Sequence, residues 1–365
     1  MFYAVCWLLF NHDKSYQAVL PRFLSVRCPN AQVFRKAVFY VITVYASGLT
    51  LTSMAGYCGA DSNRISAIIN LENGKKYMAG DQPMNHHDSN ESQIDDGAVK
   101  RYFDGARGGT AATVSMMTHE FNLPASAARY RLHKEIRTIS DWLNAVNESW
   151  RVLDVGCGAG TWTEIFAKRY KTVIGIEQSS LMLKAARERV ASLPNVEILE
   201  GDGRHDLPEG SFDMIFLGGL CMYLNDHDVI ELLRSLKNRL AEGGAIILRE
   251  STVHQGVSLS QGEYQAVYRN VNLYRQLFDG AGSFRVEVRR NYGYTNLVTA
   301  EELVNLRREW LPFLPKDSTK LGSLTWWMLR GTAPISFWAI PQILSQLSIP
   351  WPRLQNHFFR LSFEE

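Results

Sequence analysis

A glycine-rich turn with an acidic residue at its start is the part of the sequence best suited to chemistry. The run VLDVGCGAG places Asp154 before Gly156, Gly158 and Gly160, and a predicted helix follows at Thr161. Glycines let the backbone turn tightly and approach a bound ligand closely, where a Cβ would intrude. Dinucleotide-binding folds use a similar turn, so the glycines alone leave the class of ligand open.

Further acidic and small residues follow the next predicted strands. TVIGIE ends in Glu177, which is placed to accept hydrogen bonds from both ribose hydroxyls, a role common to nicotinamide and adenosylmethionine sites. VEILEGDG ends in Asp202 and Gly203, where a carboxylate can accept from an adenine amine, a group for which a dehydrogenase has no special need. FDMIFLGG brings Gly218 to the mouth of the same site. Three successive strand ends therefore carry ligand-binding chemistry.

In that order and spacing, VLDVGCGAG, GIE, EGDG and FDMIFLGG resemble the successive motifs of class I S-adenosylmethionine-dependent methyltransferases. The resemblance covers about residues 130 to 290. It implies S-adenosyl-L-methionine as the cofactor, with Asp154 and the loop glycines around its methionine part. By the same resemblance, Glu177 holds the ribose and Asp202 the adenine.

The elements that position these residues alternate along the chain from Arg151 to about Arg290. Strand candidates are RVLDVG, TVIGIE, VEILEG, FDMIFLGG, AIILRE and FRVEVRR, with helical runs such as SSLMLKAARERVASL between them. Alternating strands and helices, with apolar strands buried on both faces, predict an α/β fold with a doubly wound, mostly parallel, Rossmann-like sheet.

An amphipathic helix is predicted just before the first strand. Its apolar stripe, at spacings of three and four, includes Leu132, Ile136, Ile139 and Leu143. Such a helix can cap the sheet edge or the cofactor. The resemblance implies that Tyr130 and Arg131 on this helix meet the cofactor carboxylate, and a plain surface helix explains both residues equally well.

The acceptor residues are expected after the fourth and fifth strands, in GGLCMYLND and RESTVHQGVSLSQGEYQAVYRN. The second segment is similar to the corresponding region of protein N-terminal α-amine methyltransferases and of sugar and natural-product methyltransferases. By that similarity Ser251 and Glu263 match polar residues that bind or deprotonate an acceptor amine, and Tyr223 stands where the N-terminal enzymes carry His. We expect Tyr223, His254 and Glu263 to converge, with Glu263 favoured over His254 as general base.

The segments flanking this region differ from it in composition. Residues 37–58 carry no charge and follow Arg35 and Lys36, which fits a signal anchor, a short spanning helix, a buried element or a dispensable leader that ends before Met78. The C-terminal run TWWMLRGTAPISFWAIPQILSQLSIPWP fits a packed appendage over the substrate side or an interfacial membrane contact. The predicted organisation is a leader and disordered linker over 1–96, a methyltransferase domain with its helical cap over 97–298, and an apolar C-terminal appendage over 299–365.

Composition narrows the class of function. A net charge of +2 over 365 residues, without a cluster of Lys and Arg, argues against a nucleic-acid surface. The five cysteines have no spacing suited to zinc, so no metal is expected. The sequence predicts a cytoplasmic enzyme, with membrane association left open, that methylates an O or N atom of a small-molecule biosynthetic intermediate. The alternatives are an N-terminal α-amine methyltransferase, a nicotinamide-dependent oxidoreductase and a non-catalytic cofactor-binding module.

Overall fold

The computed structural model describes residues 94–105, 121–144, 149–346 and 350–363. The apolar run at 37–58 and Met78 lie outside the described residues. Within the described ranges, no helix is both long and apolar enough to cross a membrane.

A nine-stranded sheet forms the centre of the described chain. Its strands are β1 (Arg151–Val155), β2 (Thr172–Glu177), β3 (Val196–Glu200), β4 (Phe212–Leu217), β5 (Leu240–Val253), β6 (Val257–Ser260), β7 (Ala266–Arg269), β8 (Arg285–Arg290) and β9 (Leu354–Ser362). The first five run parallel in the order β3-β2-β1-β4-β5. The mostly parallel sheet predicted from the sequence is confirmed, and the six predicted runs form β1 to β5 and β8.

Three strands were not anticipated from the sequence, and they complete the far side of the sheet. β9 pairs antiparallel with β5 and with β8, whereas β6 and β7 form a hairpin that joins the end of β5 at Thr252. β9 lies within 299–365, so part of the segment that we predicted to be an appendage is a strand of the central sheet. The predicted boundary after residue 298 falls inside a helix, Tyr292–Trp310.

Helices cover both faces of the sheet and its flank. They are α1 (Asp96–Asp104), α2 (Ala125–Thr138), α3 (Ser140–Asn144), α4 (Thr161–Ala167), α5 (Ser180–Val190), α6 (Asp226–Lys237), α7 (Val271–Ala281), α8 (Tyr292–Trp310), α9 (Thr319–Gly331) and α10 (Ile340–Gln346). A π-helical turn, Ile335–Ala339, precedes α10.

The core has two layers because successive residues of a strand point to opposite faces of the sheet. On one face α6 and α7 bury their apolar sides against β1, β4 and β5, including Leu153 and Ile215. On the other face the adjacent Val152 and Met214 pack beneath α3 and α4. The predicted apolar stripe lies in this second layer, since Ile139 is fully buried there. The sheet is thus doubly wound as predicted, and it holds the carboxyl ends of its parallel strands on one edge.

Candidate active site

The glycine turn after β1 has the backbone geometry that its sequence predicts. Gly156, Gly158 and Gly160 have φ values of +65°, +54° and +75°, in the left-handed region that side chains other than glycine rarely adopt. A Cβ at Gly158 would meet no atom within 4 Å, so the turn opens onto free space. The amide of Gly158 donates to Glu177 Oε2 at 2.9 Å, which ties the turn to the end of β2.

Two carboxylates flank this turn. Glu177 accepts from the Gly158 and Ser179 amides, and each of its oxygens keeps a lone pair for a further donor such as a ribose hydroxyl. Burial raises the pKa of Glu177 above its ordinary value, and the amide hydrogen bonds counteract this rise. Asp154 is fully buried and accepts from Thr163 Oγ1 at 2.6 Å, and burial raises its pKa to about 7.

The end of β3 presents Asp202 beside a cleft of about 460 Å³. Arg204 donates to both carboxylate oxygens of Asp202, at 2.7 to 3.1 Å, and also pairs with Asp96 at the start of α1. Burial alone would raise the pKa of Asp202, but the Arg204 hydrogen bonds prevail and lower it. The carboxylate predicted to meet an adenine therefore stays ionised and already has an arginine partner. At the next residue, Gly203, a Cβ would lie 2.5 Å from Val155, so only glycine fits there.

A buried charge network lies at the end of β4. Arg249 donates to the Gly218 carbonyl at 2.7 Å and to Glu135, a carboxylate of α2 with no exposed surface. Arg131 lies 3.6 Å from the same carboxylate, and Asn291 donates to it at 3.0 Å. Glu135 thus fixes both arginines, and Arg249 reaches the end of β4. The role of Arg131 at the cofactor carboxylate stays a prediction.

Tyr130 lies on the same helix but packs toward the C-terminal helices. Its hydroxyl accepts from Asn296 at 3.0 Å, and its ring makes an edge contact with Trp326. The Arg330 guanidinium stands 4.2 Å from the ring centroid. These contacts give Tyr130 a packing role in the structure, and its assignment to the cofactor carboxylate stays a prediction.

The loop after β4, which carries Tyr223, is held by a fully buried arginine. Arg269 donates to the carbonyls of Cys221 and Leu224 and to Asp226, at 2.7 to 2.9 Å. Arg269 is 1% exposed, and all three of these contacts fix the loop.

Glu250, in the part of β5 next to this loop, is also fully buried. Its Oε1 accepts from the Cys221 amide at 3.1 Å, and Tyr274 donates to Oε2 at 3.5 Å. Burial raises the pKa of Glu250 to about 7. Glu250 and Arg269 together fix the loop that follows β4.

Four tyrosines, hereafter the phenol cluster, lie on the acceptor side: Tyr223, Tyr264, Tyr268 and Tyr294. The Tyr264 hydroxyl lies 3.1 Å from the hydroxyls of both Tyr223 and Tyr268. Ser251 at the end of β5 donates to the Tyr294 hydroxyl at 2.9 Å. Burial raises the pKa of all four phenols, so they are neutral hydroxyls that can both donate and accept.

The two predicted bases lie elsewhere around this cluster. His254 Nε2 lies 3.0 Å from the Pro352 carbonyl oxygen. Gln355 Nε2 lies 3.0 Å from both ring nitrogens of His254, so the imidazole is bonded to residues just before and within β9. Glu263 has an exposed side chain in the turn between β6 and β7, next to Tyr264. Tyr223 belongs to the phenol cluster, and the catalytic roles predicted for Tyr223 and His254 stay predictions. The role of Glu263 stays a prediction.

α1 spans the cofactor side and the acceptor side. At one end Asp104 accepts from the Ser180 amide, near Glu177. Phe103 makes an edge contact with Tyr223, and Tyr102 makes one with Tyr264, with ring centroids 5.1 Å apart in both pairs. Ile94 and Val99 are buried against the β6–β7 hairpin. The helix thus covers both the cofactor side and the acceptor side of the candidate site.

The comparisons with known proteins identify the central part of this site. A family model described as "Methyltransferase domain" matches residues 152–244, which run from β1 into β5 and include the glycine turn, Glu177, Asp202 and Gly218. Residues 152–244 form a methyltransferase domain. The resemblance to class I S-adenosylmethionine-dependent methyltransferases, and with it the cofactor class, is thereby confirmed.

Relatives and solved structures agree with this domain. Trans-aconitate 2-methyltransferase of Afipia carboxidovorans is 33% identical over 104 residues, which is 28% of this chain and 39% of the relative. Demethylmenaquinone methyltransferase of Listeria welshimeri is 34% identical over 128 residues, 33% of this chain and 53% of the relative. The chain therefore spans about two fifths to one half of these two relatives. A structure of Haemonchus contortus phosphoethanolamine N-methyltransferase 2 shares the fold, with a TM-score of 0.50 and 17% identity over 73% of this chain and 60% of that one.

Several residues of the site were missed by the sequence reading, and most of them belong to the buried networks. Glu135, Asn291 and Asn356 lie on three different elements and meet only in the folded chain. Tyr294 lies in α8, a helix that was not predicted from the sequence. Asn291 follows two arginines and Asn356 stands in the polar first part of β9, so neither position had a signal in the sequence. Among the described residues, no group of three His, Cys, Asp or Glu could hold a metal ion.

Proposed function

We propose that this chain is an S-adenosyl-L-methionine-dependent methyltransferase that methylates an O or N atom of a small molecule. The observation that carries the proposal is the set of ligand-binding groups on three successive strand ends of one parallel sheet: the open glycine turn, Glu177 and Asp202. A methyltransferase domain is matched over the same residues.

The residues present fit the cofactor. Glu177 would hold the ribose through the lone pairs left by its two amide partners, and Asp202 would hold the adenine edge beside the cleft. Gly156 and Gly158 would leave room for the methionine part, with Arg131 near its carboxylate. When bound, the sulfonium supplies an activated methyl group with a good leaving group. The chain itself then has to bind, orient and exclude water.

On the acceptor side, the phenol cluster supports a small polar acceptor. Neutral hydroxyls orient an oxygen or nitrogen nucleophile by donating to it or accepting from it, and α1 shields them from water. The two relatives named above act, by their names, on small molecules, and this supports the same class of acceptor here. For an N-terminal peptide amine, a cationic group, an acidic groove would be needed; the Arg353 charge that acts on Tyr268 has the opposite sign.

We also propose that the protein is cytoplasmic and that it contacts a membrane surface. The methyltransferase proposal does not depend on either of these.

The test has two stages with the purified full chain. Calorimetric titration should show tighter binding of S-adenosylhomocysteine than of NAD, and Glu177→Gln should weaken the former about 10- to 100-fold by the loss of charge-assisted hydrogen bonds. Glu188→Gln, at an exposed position of α5, is the matched control and should bind as the wild type does.

Incubation with metabolite extracts and labelled cofactor should then give a product heavier by one methylene. Tighter binding of NAD would overturn the cofactor assignment. Tight cofactor binding without any labelled product from small-molecule extracts, but with label in peptides, would instead support the N-terminal amine enzyme. Binding with no labelled product in either would favour the non-catalytic module.

A further inference from the structure

The C-terminal helices present a row of large apolar side chains to solvent. Leu324 and Trp327 on α9 are 51% and 72% exposed, and Ile335 and Trp338 at the π-helical turn are 44% and 67% exposed. We call these four side chains the outer aromatic face. Single exposed apolar residues are ordinary on protein surfaces, but four within fifteen residues, two of them tryptophans, are a patch.

The opposite side of the same segment is fixed in the protein. Trp326 and Leu329 are buried in a cluster with α2 and α8, and Phe337 packs against the same cluster. A Cβ at Gly322 would overlap the Asn122 backbone, so α9 lies directly on the chain beneath it. Because the inner side is held in this way, the outer aromatic face cannot turn inward without unpacking both helices.

The segment that carries the face has charges of one sign. From Thr319 to Gln346 the only charged residues are Lys320 and Arg330, and no acidic residue is present. Both basic residues are exposed. A segment with Trp and aliphatic residues outward, basic residues beside them and no acid has the composition of an interfacial helix that lies on an anionic lipid surface.

We propose that the outer aromatic face docks on an anionic lipid bilayer surface, with Trp327 and Trp338 inserted at the headgroup level. Tryptophan suits that position because its ring is apolar and its N–H remains hydrogen-bonded. Lys320, which lies on the same stripe of α9 as Leu324 and Trp327, meets the lipid headgroups. The proposal is one of surface contact, and it does not rest on the proposed methyl transfer.

The test uses the full chain and two kinds of vesicle, one of phosphatidylcholine alone and one containing phosphatidylglycerol. The wild type should sediment with the anionic vesicles, and Trp327→Gln combined with Trp338→Gln should reduce partitioning about tenfold or more, because two partly inserted indoles are lost. Lys320→Gln should reduce the preference for the anionic vesicles. Leu324→Gln, at a 51% exposed leucine of the face, should also reduce partitioning. Its control is Leu259→Gln, at a 43% exposed leucine of β6, which should partition as the wild type does.

A second readout separates this face from the rest of the chain. Brominated lipids should quench tryptophan fluorescence in the wild type, and the double tryptophan variant should lose most of that quenching even if another segment holds the protein on the vesicle. All variants are first checked for unchanged S-adenosylhomocysteine binding, which establishes that they fold. Unaltered quenching in the double variant, or no binding of the wild type to either vesicle, would overturn the proposal. A dimer that this variant dissociates would assign the face to a second copy of the chain and would also overturn it.

Discussion

Glu250→Gln gives a direct test of the buried carboxylate that supports the loop after β4. The pKa of Glu250 is about 7 in the folded protein, because of its burial, against an ordinary value of 4.5. A carboxyl whose folded pKa is raised stabilises the protein below its unfolded pKa and loses that contribution as the pH rises through the folded pKa. The difference of 2.5 units, at 1.36 kcal/mol per unit, corresponds to about 3 kcal/mol between pH 4.5 and pH 7.

Gln keeps the shape of the protonated acid. Its carbonyl can accept from the Cys221 amide, and its amide can donate to the Tyr274 hydroxyl. Near pH 5 the variant should therefore match the wild type to within about 1 kcal/mol. At pH 8 it should be more stable than the wild type by about 3 kcal/mol, because it has no buried charge to form.

The assay is urea denaturation of both proteins at several pH values, with the exposed Glu188→Gln as the control. The difference between the variant and the wild type isolates Glu250, because Asp154, with a similarly raised pKa, is present in both proteins. If the two curves of unfolding free energy against pH run parallel from pH 5 to pH 8, Glu250 does not titrate as its burial requires and the reasoning fails.

Three other predictions follow from the site and from the leader. Arg269→Lys keeps the charge but loses the fork that holds two carbonyls and Asp226, so chemical denaturation should show a loss of about 2 to 4 kcal/mol; a loss below about 0.5 kcal/mol would contradict the clamp role. Tyr223→Phe should lower turnover about tenfold with a confirmed acceptor and leave the cofactor Kd unchanged, and a shift in Kd alone would place Tyr223 on the cofactor instead. Deletion of residues 1–77 should leave S-adenosylhomocysteine binding unchanged, and loss of folding would show that the leader packs on the domain.

The fold was predictable where each element satisfies its own sequence pattern. β1 to β5 are apolar runs that end in turn residues, and the part of the predicted apolar stripe that includes Ile139 and Leu143 packs as its spacing requires. β9 was missed because its sequence, LQNHFFRLS, follows a Trp/Pro-rich run and carries polar residues. Those polar residues are explained by tertiary contacts: Asn356 and His357 bond to Asn291 and Thr252.

In the candidate site, the cofactor side could be predicted from the sequence and most of the acceptor side could not. The cofactor residues lie within a few positions of their strand ends, so sequence order alone brings them to one edge of the sheet. The acceptor side depends on β7, α1 and α8, which reach that edge from three distant parts of the chain. For this reason Tyr294 was not anticipated. The contacts of His254 with Pro352 and Gln355 were not anticipated either, because both partners belong to the segment predicted to be an appendage.

The C-terminal strand, β9, takes part in the buried charge network at the end of β4. Asn356 accepts from Asn291, which also donates to Glu135, and Glu135 holds Arg249 against the Gly218 carbonyl. Each of these groups is buried or nearly so, and an unpaired buried charge costs several kcal/mol. Removing one member of this network therefore destabilises the whole network. The methyltransferase domain matched at residues 152–244 therefore depends, for the shape of the end of β4, on residues outside its own range and as distant along the chain as Asn356.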